Sequence, residues 1–144
     1  MYITSVRVNG FKNLKEINIS PHQKLNIFCG DNAQGKTNLI EALWLCSGVR
    51  SFRGTKDKDM IDISGENMEI AVRFRDRLRE QEIVYRMARP YVKEKSCSLN
   101  GVKLRAPSKL FGSLDCVVFT RRIWSFQRAH PKKGGSSSTL PRRR

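Results

Sequence analysis

A short glycine-rich segment constrains the fold of this chain more than any other feature. Residues 30–37 read GDNAQGKT and fit the pattern G-x-x-x-x-G-K-[ST]. Because Gly30 and Gly35 lack a β-carbon, the backbone can take positive φ angles and point successive N–H groups at a phosphate. In this pattern Lys36 adds positive charge beside the phosphates, and the Thr37 hydroxyl can ligate Mg²⁺. The segment therefore predicts a phosphate-binding P-loop that takes a nucleoside triphosphate.

The sequence on either side of the P-loop supports this interpretation. Residues 24–29, KLNIFC, have the apolar character of a short buried strand, and a helix is predicted from Asn38 onward. Trp44 is interpreted as core packing of that helix rather than as a platform for a base. A strand, a glycine loop and a helix N-terminus in this order predict the start of a nucleotide-binding α/β sheet. The residues expected around the phosphates are Gly30, Asp31, Asn32, Ala33, Gln34, Gly35, Lys36, Thr37 and Asn38.

Strand-like patterns precede and follow this unit. The segments are residues 2–8, 15–20, 69–74, 82–87, 96–99 and 102–104. Asn100-Gly101 lies between the last two of them and predicts a tight β-hairpin. Residues 107–111 are expected to hold one helical turn, and residues 115–120 are expected to form a buried strand that returns to the parallel sheet. Together these patterns predict an antiparallel layer beside the nucleotide-binding sheet.

Several of these features resemble the RecF family of bacterial recombination and gap-repair ATPases. The matching stretches are Phe11-Lys12-Asn13, GDNAQGKTNLIEA from residue 30, Ser51-Phe52-Arg53, and LFGSLDCVVFT at residues 110–120. The resemblance runs through residues 1–120. It implies the fold of an ABC-type ATPase head of the RecF and SMC kind, an incomplete α/β P-loop NTPase domain with an antiparallel β layer.

The resemblance also implies a function and further site residues. It places Lys12 and Asn13 near the adenine and ribose, and Arg53 near the phosphates, although from the sequence alone each could be a solvated turn residue. The implied cofactors are ATP and Mg²⁺. The implied partners are single-stranded or gapped DNA, recombination mediator proteins and, when ATP is bound, a second copy of the full-length protein. Members of the family act in DNA replication, recombinase loading and the SOS response to DNA damage.

Whether this chain is an enzyme is left open by its sequence. An ABC-type head requires a Walker B strand ending in Asp-Glu, a signature helix and a histidine switch, and no apolar strand of this sequence ends in paired carboxylates. The acidic residues Asp57, Asp59 and Asp62 lie on a polar loop and are expected to be solvated. No catalytic residue is therefore predicted, although the full-length family is a slow DNA-dependent ATPase.

The character of the chain changes after Thr120. Residues 121–144 contain eight Arg or Lys and no Asp or Glu, and they supply about half of the formal net charge of +15. This composition predicts a disordered basic tail. With one permissible choice of codons, restoring a single base after the Thr120 codon gives TPEDLELSKGSPEKRRQFLD, which resembles the family's continuation. We therefore interpret residues 121–144 as an out-of-frame translation that follows residues 1–120, the N-terminal part of a RecF-like head.

Two other classes of function remain open at this point. A basic nucleic-acid-binding protein would use the tail as its active part, and a small P-loop phosphotransferase would act on a small acceptor. The arginines at positions 73, 75, 77 and 79 alternate along a predicted strand, as a solvated face or a DNA-contacting stripe would.

The remaining expectations concern the cell compartment and solubility. The four cysteines are widely spaced in apolar surroundings, which predicts buried, reduced thiols at Cys29, Cys46, Cys97 and Cys116. The start of the chain lacks a secretion signal, and no stretch has the length of a membrane span, so a cytoplasmic protein without membrane contact is expected. Unpaired apolar strand edges also predict poor solubility.

Overall fold

A computed structural model describes residues 1–89, 95–120 and 123–128, with the backbone alone at residues 120 and 123–128. Six strands and one helix carry the fold. The strands are β1 (Tyr2–Phe11), β2 (Leu14–Ile19), β3 (Asn67–Arg75), β4 (Glu80–Ala88), β5 (Ser96–Leu99) and β6 (Val102–Leu104), and the helix is α1 (Lys36–Leu45). The strands form one antiparallel sheet in the order β2-β1-β3-β4-β5-β6. The predicted antiparallel layer is thus confirmed.

Alternating burial along the central strand β3 explains where the core lies. Met68, Ile70, Val72 and Phe74 are at most 2% exposed, and they occupy every second position of β3. Side chains at alternate positions of a strand share one face, so this sheet has one apolar face. Helix α1 contributes Leu45 and other apolar side chains to the same core cluster. The P-loop is therefore attached to the sheet through the helix that follows it.

The hairpin between β5 and β6 forms at the predicted position. Asn100 and Gly101 both have positive φ angles, 52° and 79°, as a type I′ turn requires. The Asn100 Oδ1 accepts a hydrogen bond of 2.9 Å from the Glu82 backbone N–H, which ties the turn to β4. The predicted helical turn is also present, as a 3-10 helix at Pro107–Leu110.

The segment before the P-loop differs from the prediction. Residues 24–29 are not in a strand, and Leu25, Ile27 and Phe28 are 71%, 75% and 42% exposed. A strand needs a hydrogen-bonding neighbour, and none of the residues described here pairs with this segment. Residues 24–29 have the apolar character of a buried strand, but the prediction that they form one was wrong. Cys29 is exposed for the same reason, whereas Cys46 and Cys97 are buried and Cys116 is half-buried.

The last described segment corrects a second expectation. Strand β7 (Val117–Thr120) forms where a strand was predicted, but it pairs antiparallel with β8 (Ile123–Arg128) rather than joining a parallel sheet. β8 belongs to the segment for which the composition predicts disorder, and that prediction stays a prediction for the tail as a whole. The other tail residues, 121–122 and 129–144, lie outside the described part of the chain.

Candidate nucleotide-binding site

The P-loop leads directly into the N-terminus of α1. Gly35 precedes the helix with a φ of 97°, and the first turn of α1 contains no acidic residue. The first N–H groups of a helix have no partner within the helix and carry partial positive charge. The Lys36 ammonium donates hydrogen bonds to the carbonyls of Gly30 and Asp31, at 2.5 and 2.6 Å. The lysine thereby closes the loop around the point where a phosphate would enter.

The turn between β1 and β2 lies against the P-loop. The Asn13 side-chain amide donates to the Ala33 carbonyl at 2.9 Å, and the Asn38 amide donates to Asn13 Oδ1 at 2.7 Å. The Arg53 guanidinium then donates to Asn38 Oδ1 at 2.9 Å. The structure therefore joins Asn13, the P-loop, α1 and Arg53 in one chain of hydrogen bonds.

A buried carboxylate lies beneath this chain of hydrogen bonds. Glu41 of α1 is 0% exposed, and the Lys12 ammonium lies 2.6 Å from its Oε2. The hydroxyls of Ser51 and Thr55 both donate to Oε1, and the Arg53 guanidinium lies 3.5 Å from Oε2. Sequence reasoning missed Glu41. The available signal was a single charged residue inside the apolar stretch LIEALWL of the helix.

The surroundings of Glu41 explain its ionisation. Burial raises the pKa of Glu41, because a charged carboxylate loses its hydration. Hydrogen bonds from Lys12, Ser51 and Thr55, together with the Lys12 charge, outweigh that effect, so the pKa of Glu41 lies below its usual range. Glu41 is therefore an anion at neutral pH, and it offsets the positive charge of Lys12 and Arg53.

Two open clefts flank the P-loop and the β1–β2 turn. One, of about 430 Å³, is lined by Phe28, Lys36, Thr37, Ile40, Phe52, Val118 and Phe119. The other, of about 500 Å³, borders Lys12 and Asn13 and includes Ile61, Ile63 and Arg89. The larger of the two offers an apolar surface beside polar side chains, as ligand clefts commonly do.

The loop acids differ from one another in exposure. Asp59 is exposed and Asp57 is half-buried, with an ion pair of 2.6 Å to Lys95. Asp62 was expected to be solvated, but it is 7% exposed and accepts hydrogen bonds from the backbone and the hydroxyl of Ser64 at 2.8 and 2.6 Å. The expectation for Asp62 was wrong, because the carboxylate caps its own turn.

The residues present fit a magnesium nucleotide. Across the part of the chain that the structure describes, no group of three or more His, Cys, Asp and Glu could hold a metal ion. Thr37 is exposed in the first turn of α1, so its hydroxyl could share a cation with phosphate oxygens, as the P-loop pattern implies. An anionic ligand also suits the site, because Lys36 lies at the P-loop and Arg53 is joined through Asn38 to the start of α1.

The arginine stripe is divided between a strand and a turn. Arg73 and Arg75 belong to β3, whereas Arg77 and Arg79 lie beside the turn to β4. The Arg73 guanidinium is paired at 2.9 Å with Glu82 on the neighbouring strand. This pair is exposed, as expected of a solvated face.

Within the described residues, no helix has the length and apolar character needed to cross a membrane.

Proteins of known family resemble this chain along most of its sequence. The chain matches the family model described as AAA ATPase domain over residues 1–133. It is 35% identical over 120 residues to the DNA replication and repair protein RecF of Clostridium kluyveri, covering 83% of this chain and 32% of that protein. It is 32% identical over 131 residues to the RecF of Clostridium tetani, covering 91% and 35%. The chain thus spans about a third of the length of these relatives.

Solved structures give the same indication. The fold superposes on a structure of the recombination mediator protein RecF with ATP, from the RecFOR pathway, with a TM-score of 0.78 at 31% identity, covering 84% of this chain and 33% of that one. It also superposes on the SMC head domain from Thermotoga maritima with a TM-score of 0.58 at 21% identity, covering 73% and 39%. The second likeness concerns the fold alone. Both agree with the predicted fold class, part of a P-loop ATPase head.

Proposed function

The chain belongs to the AAA ATPase domain family, and on this premise we propose that it forms the ATP-binding part of a RecF-type DNA replication and repair protein. The observation that carries the proposal is that the Lys36 ammonium and the Asn13–Asn38–Arg53 hydrogen bonds all involve the P-loop or the N-terminus of α1. Each of these groups can donate a hydrogen bond to an anion.

The proposed roles follow the chemistry of these groups. Lys36 and the backbone N–H groups of residues 30–37 bind the phosphates, and the Thr37 hydroxyl holds Mg²⁺ together with them. Lys12 and Asn13 border the cleft that also contains Ile61 and Ile63, where a base could pack on the apolar side chains. Arg53 is 47% exposed and lies one hydrogen bond from the helix start, within reach of a phosphate tail.

We also propose, for the protein to which this segment belongs, the wider functions that the resemblance to the RecF family implies. They include binding of single-stranded or gapped DNA, work with recombination mediator proteins, ATP-dependent dimerisation, a role in the SOS response and a cytoplasmic location. Residues 1–120 hold 20 Lys or Arg against 13 Asp or Glu, and this net charge of +7 supports contact with nucleic-acid phosphates. We also propose that residues 121–144 arise from a shifted reading frame. Accurate resequencing across the Thr120 codon tests this: one additional base there supports a shifted frame, and the unchanged sequence contradicts it.

Nucleotide binding is the decisive test of the central proposal. The 144-residue chain is titrated with ATP and Mg²⁺ by calorimetry, beside the variants Lys36→Ala and Lys24→Ala. Lys24 is exposed ahead of the loop and provides a control with the same change in charge. Loss of a charge-assisted phosphate contact should weaken binding by about tenfold or more in Lys36→Ala, whereas Lys24→Ala should bind like the unchanged chain. Equal affinity in Lys36→Ala would contradict a P-loop function.

The same variants separate the other classes of function. A basic binding protein that acts through its tail would retain salt-sensitive DNA binding in Lys36→Ala and lose it when residues 121–144 are removed. A phosphotransferase would transfer the γ-phosphate to a small acceptor in a coupled assay. No specific feature of the described residues favours either class over the ATP-binding one.

A further inference from the structure

We propose that Glu41 is the positioning residue of the nucleotide site: it anchors Lys12 rigidly and holds Arg53 loosely, so that Arg53 can turn to a bound triphosphate. This inference rests on the proposed ATP-binding function and assigns a role to a residue outside the P-loop pattern. Glu41 lies one helical turn beyond Thr37, and its side chain is buried at the meeting point of α1, the β1–β2 turn and the loop at residues 51–55.

The anchoring of Lys12 is visible at both ends of the residue. Its ammonium lies 2.6 Å from Glu41 Oε2 and donates to Thr55 Oγ1 at 3.0 Å, and its side chain is 15% exposed. Its backbone N–H donates to the Met60 carbonyl at 2.9 Å, and its φ of 52° is unusual for a residue other than glycine. A backbone conformation of this kind persists only where the surroundings impose it. Lys12 is therefore held in one position beside Asn13.

The partners of the Glu41 carboxylate are divided unevenly between its two oxygens. Both hydroxyl donors, Ser51 and Thr55, are bound to Oε1, and Lys12 takes the close position at Oε2. Arg53 is left at 3.5 Å with a side chain that is 47% exposed, and its closer contact is the 2.9 Å hydrogen bond to Asn38. A buried ion needs its partners to offset the loss of hydration. Three of them satisfy Glu41 without Arg53, so Arg53 can leave at little cost.

Charge explains why this arrangement suits a triphosphate. Lys12 and Arg53 together carry two positive charges, and Glu41 neutralises one of them. When Arg53 turns to a phosphate, Lys12 remains paired with Glu41, and the buried carboxylate is never left without a cation. Glu41 thus keeps Lys12 at the turn while it makes Arg53 available to the ligand.

The first experiment tests whether Glu41 anchors Lys12 in the absence of nucleotide. Reductive methylation followed by peptide mass spectrometry compares the labelling rates of Lys12 and the exposed Lys15 in the 144-residue chain. Lys12 should label several-fold more slowly than Lys15, and Glu41→Gln should abolish this difference. The matched control is Glu16→Gln, which removes an exposed carboxylate on β2 and should leave the difference between the two labelling rates unchanged. An unchanged Lys12 rate in Glu41→Gln would overturn the inference. If Glu41→Gln does not melt cooperatively, Thr55→Val is used instead, because Thr55 binds both Glu41 and Lys12. An unchanged Lys12 labelling rate in Thr55→Val would then overturn the inference.

The second experiment tests whether Glu41 contributes to the affinity for ATP. Glu41→Gln should weaken ATP binding by about tenfold, since a charged hydrogen-bond partner of the site is lost. In a Lys12→Met background the same substitution should have a smaller effect, because Glu41 acts partly through Lys12. Equal effects in both backgrounds would overturn the positioning role. If the unchanged chain binds no ATP but retains the labelling difference, the proposed function fails while the anchoring of Lys12 stands.

Discussion

Gly35 lies so close to Leu14 that a β-carbon at position 35 would come within 2.6 Å of Leu14 Cδ2. The same β-carbon would lie 3.0 Å from Asn13 Oδ1, the atom that accepts the hydrogen bond from Asn38. The β1–β2 turn and the P-loop therefore pack directly against each other, and a larger residue at position 35 would have to displace the Leu14 and Asn13 side chains. This contact couples the stability of the antiparallel sheet to the shape of the phosphate-binding loop.

Substitution of Gly35 should separate the turn from the loop. Gly35→Ala adds the clash to the strain of a φ of 97°, and the free energy of unfolding should fall by about 2 kcal/mol. Urea unfolding measures the loss, and calorimetry should show weaker ATP binding. Gly54→Ala is the control, because its φ of 71° is also positive but its β-carbon would meet nothing within 4 Å. Equal losses in both variants would contradict the packing argument.

The stability of the fold should depend on pH through Glu41. The pKa of this carboxyl is depressed in the folded chain, so its contribution is present above the unfolded value of about 4.3 and is lost as pH falls through the folded value. At pH 7, Glu41→Gln should lower the free energy of unfolding by about 1–3 kcal/mol. The difference between the two chains, measured by urea unfolding, should shrink as the pH is lowered below about 4. A difference that is constant with pH would indicate that charge is not involved.

The cysteines should report on the P-loop. Cys29 is exposed beside Gly30, whereas Cys46 and Cys97 are buried. Burial, and then the Asp115 charge, raises the pKa of Cys116 to about 11, so that thiol also reacts slowly at pH 8. A thiol reagent should therefore modify one cysteine rapidly, and Cys29→Ser should remove that phase. ATP with Mg²⁺ should slow it, and an unchanged rate at saturating ATP would place the nucleotide elsewhere.

The β5–β6 hairpin should be sensitive at its second turn residue. Gly101 has a φ of 79°, which alanine adopts only with strain. Gly101→Ala should lower the free energy of unfolding by about 1 kcal/mol. Gly101→Asn should lower that free energy by less, because asparagine tolerates this conformation. Thermal and urea unfolding distinguish the two variants. A loss as large for asparagine as for alanine would rule out backbone strain as the cause.

Exposed apolar side chains ahead of the P-loop should promote association. Leu25 and Ile27 are 71% and 75% exposed, and neither belongs to the core clusters. The double variant Leu25→Ser, Ile27→Ser should scatter less light and bind less hydrophobic dye, while its thermal unfolding midpoint stays the same. A large fall in that midpoint would show that these residues stabilise the fold in solution.

Local sequence patterns were sufficient for several parts of this protein. The spacing of Gly30, Gly35 and Lys36 predicts the P-loop because phosphate binding by backbone N–H groups needs those residue types at that spacing. The alternation along β3 and the Asn100-Gly101 turn predict the antiparallel layer, because strand period and turn geometry act over a few residues. The resemblance implied that Lys12 lies near the adenine and ribose and Arg53 near the phosphates, and these roles stay predictions. In the structure Lys12 is bound to Glu41, and Arg53 is bound to Asn38 of α1.

Contacts between distant segments were decided by the tertiary structure alone. Glu41 binds Lys12 across a separation of 29 positions, and no spacing rule of a single helix predicts that partner. Residues 24–29 carry the pattern of a strand but do not form one among the described residues, because strand hydrogen bonds require a neighbouring strand. The sequence by itself thus determined the chemistry of the phosphate loop and the periodicity of the sheet. The packing of segments far apart in the chain decided which buried charge supports that loop, since ion pairs and strand pairs depend on proximity in space.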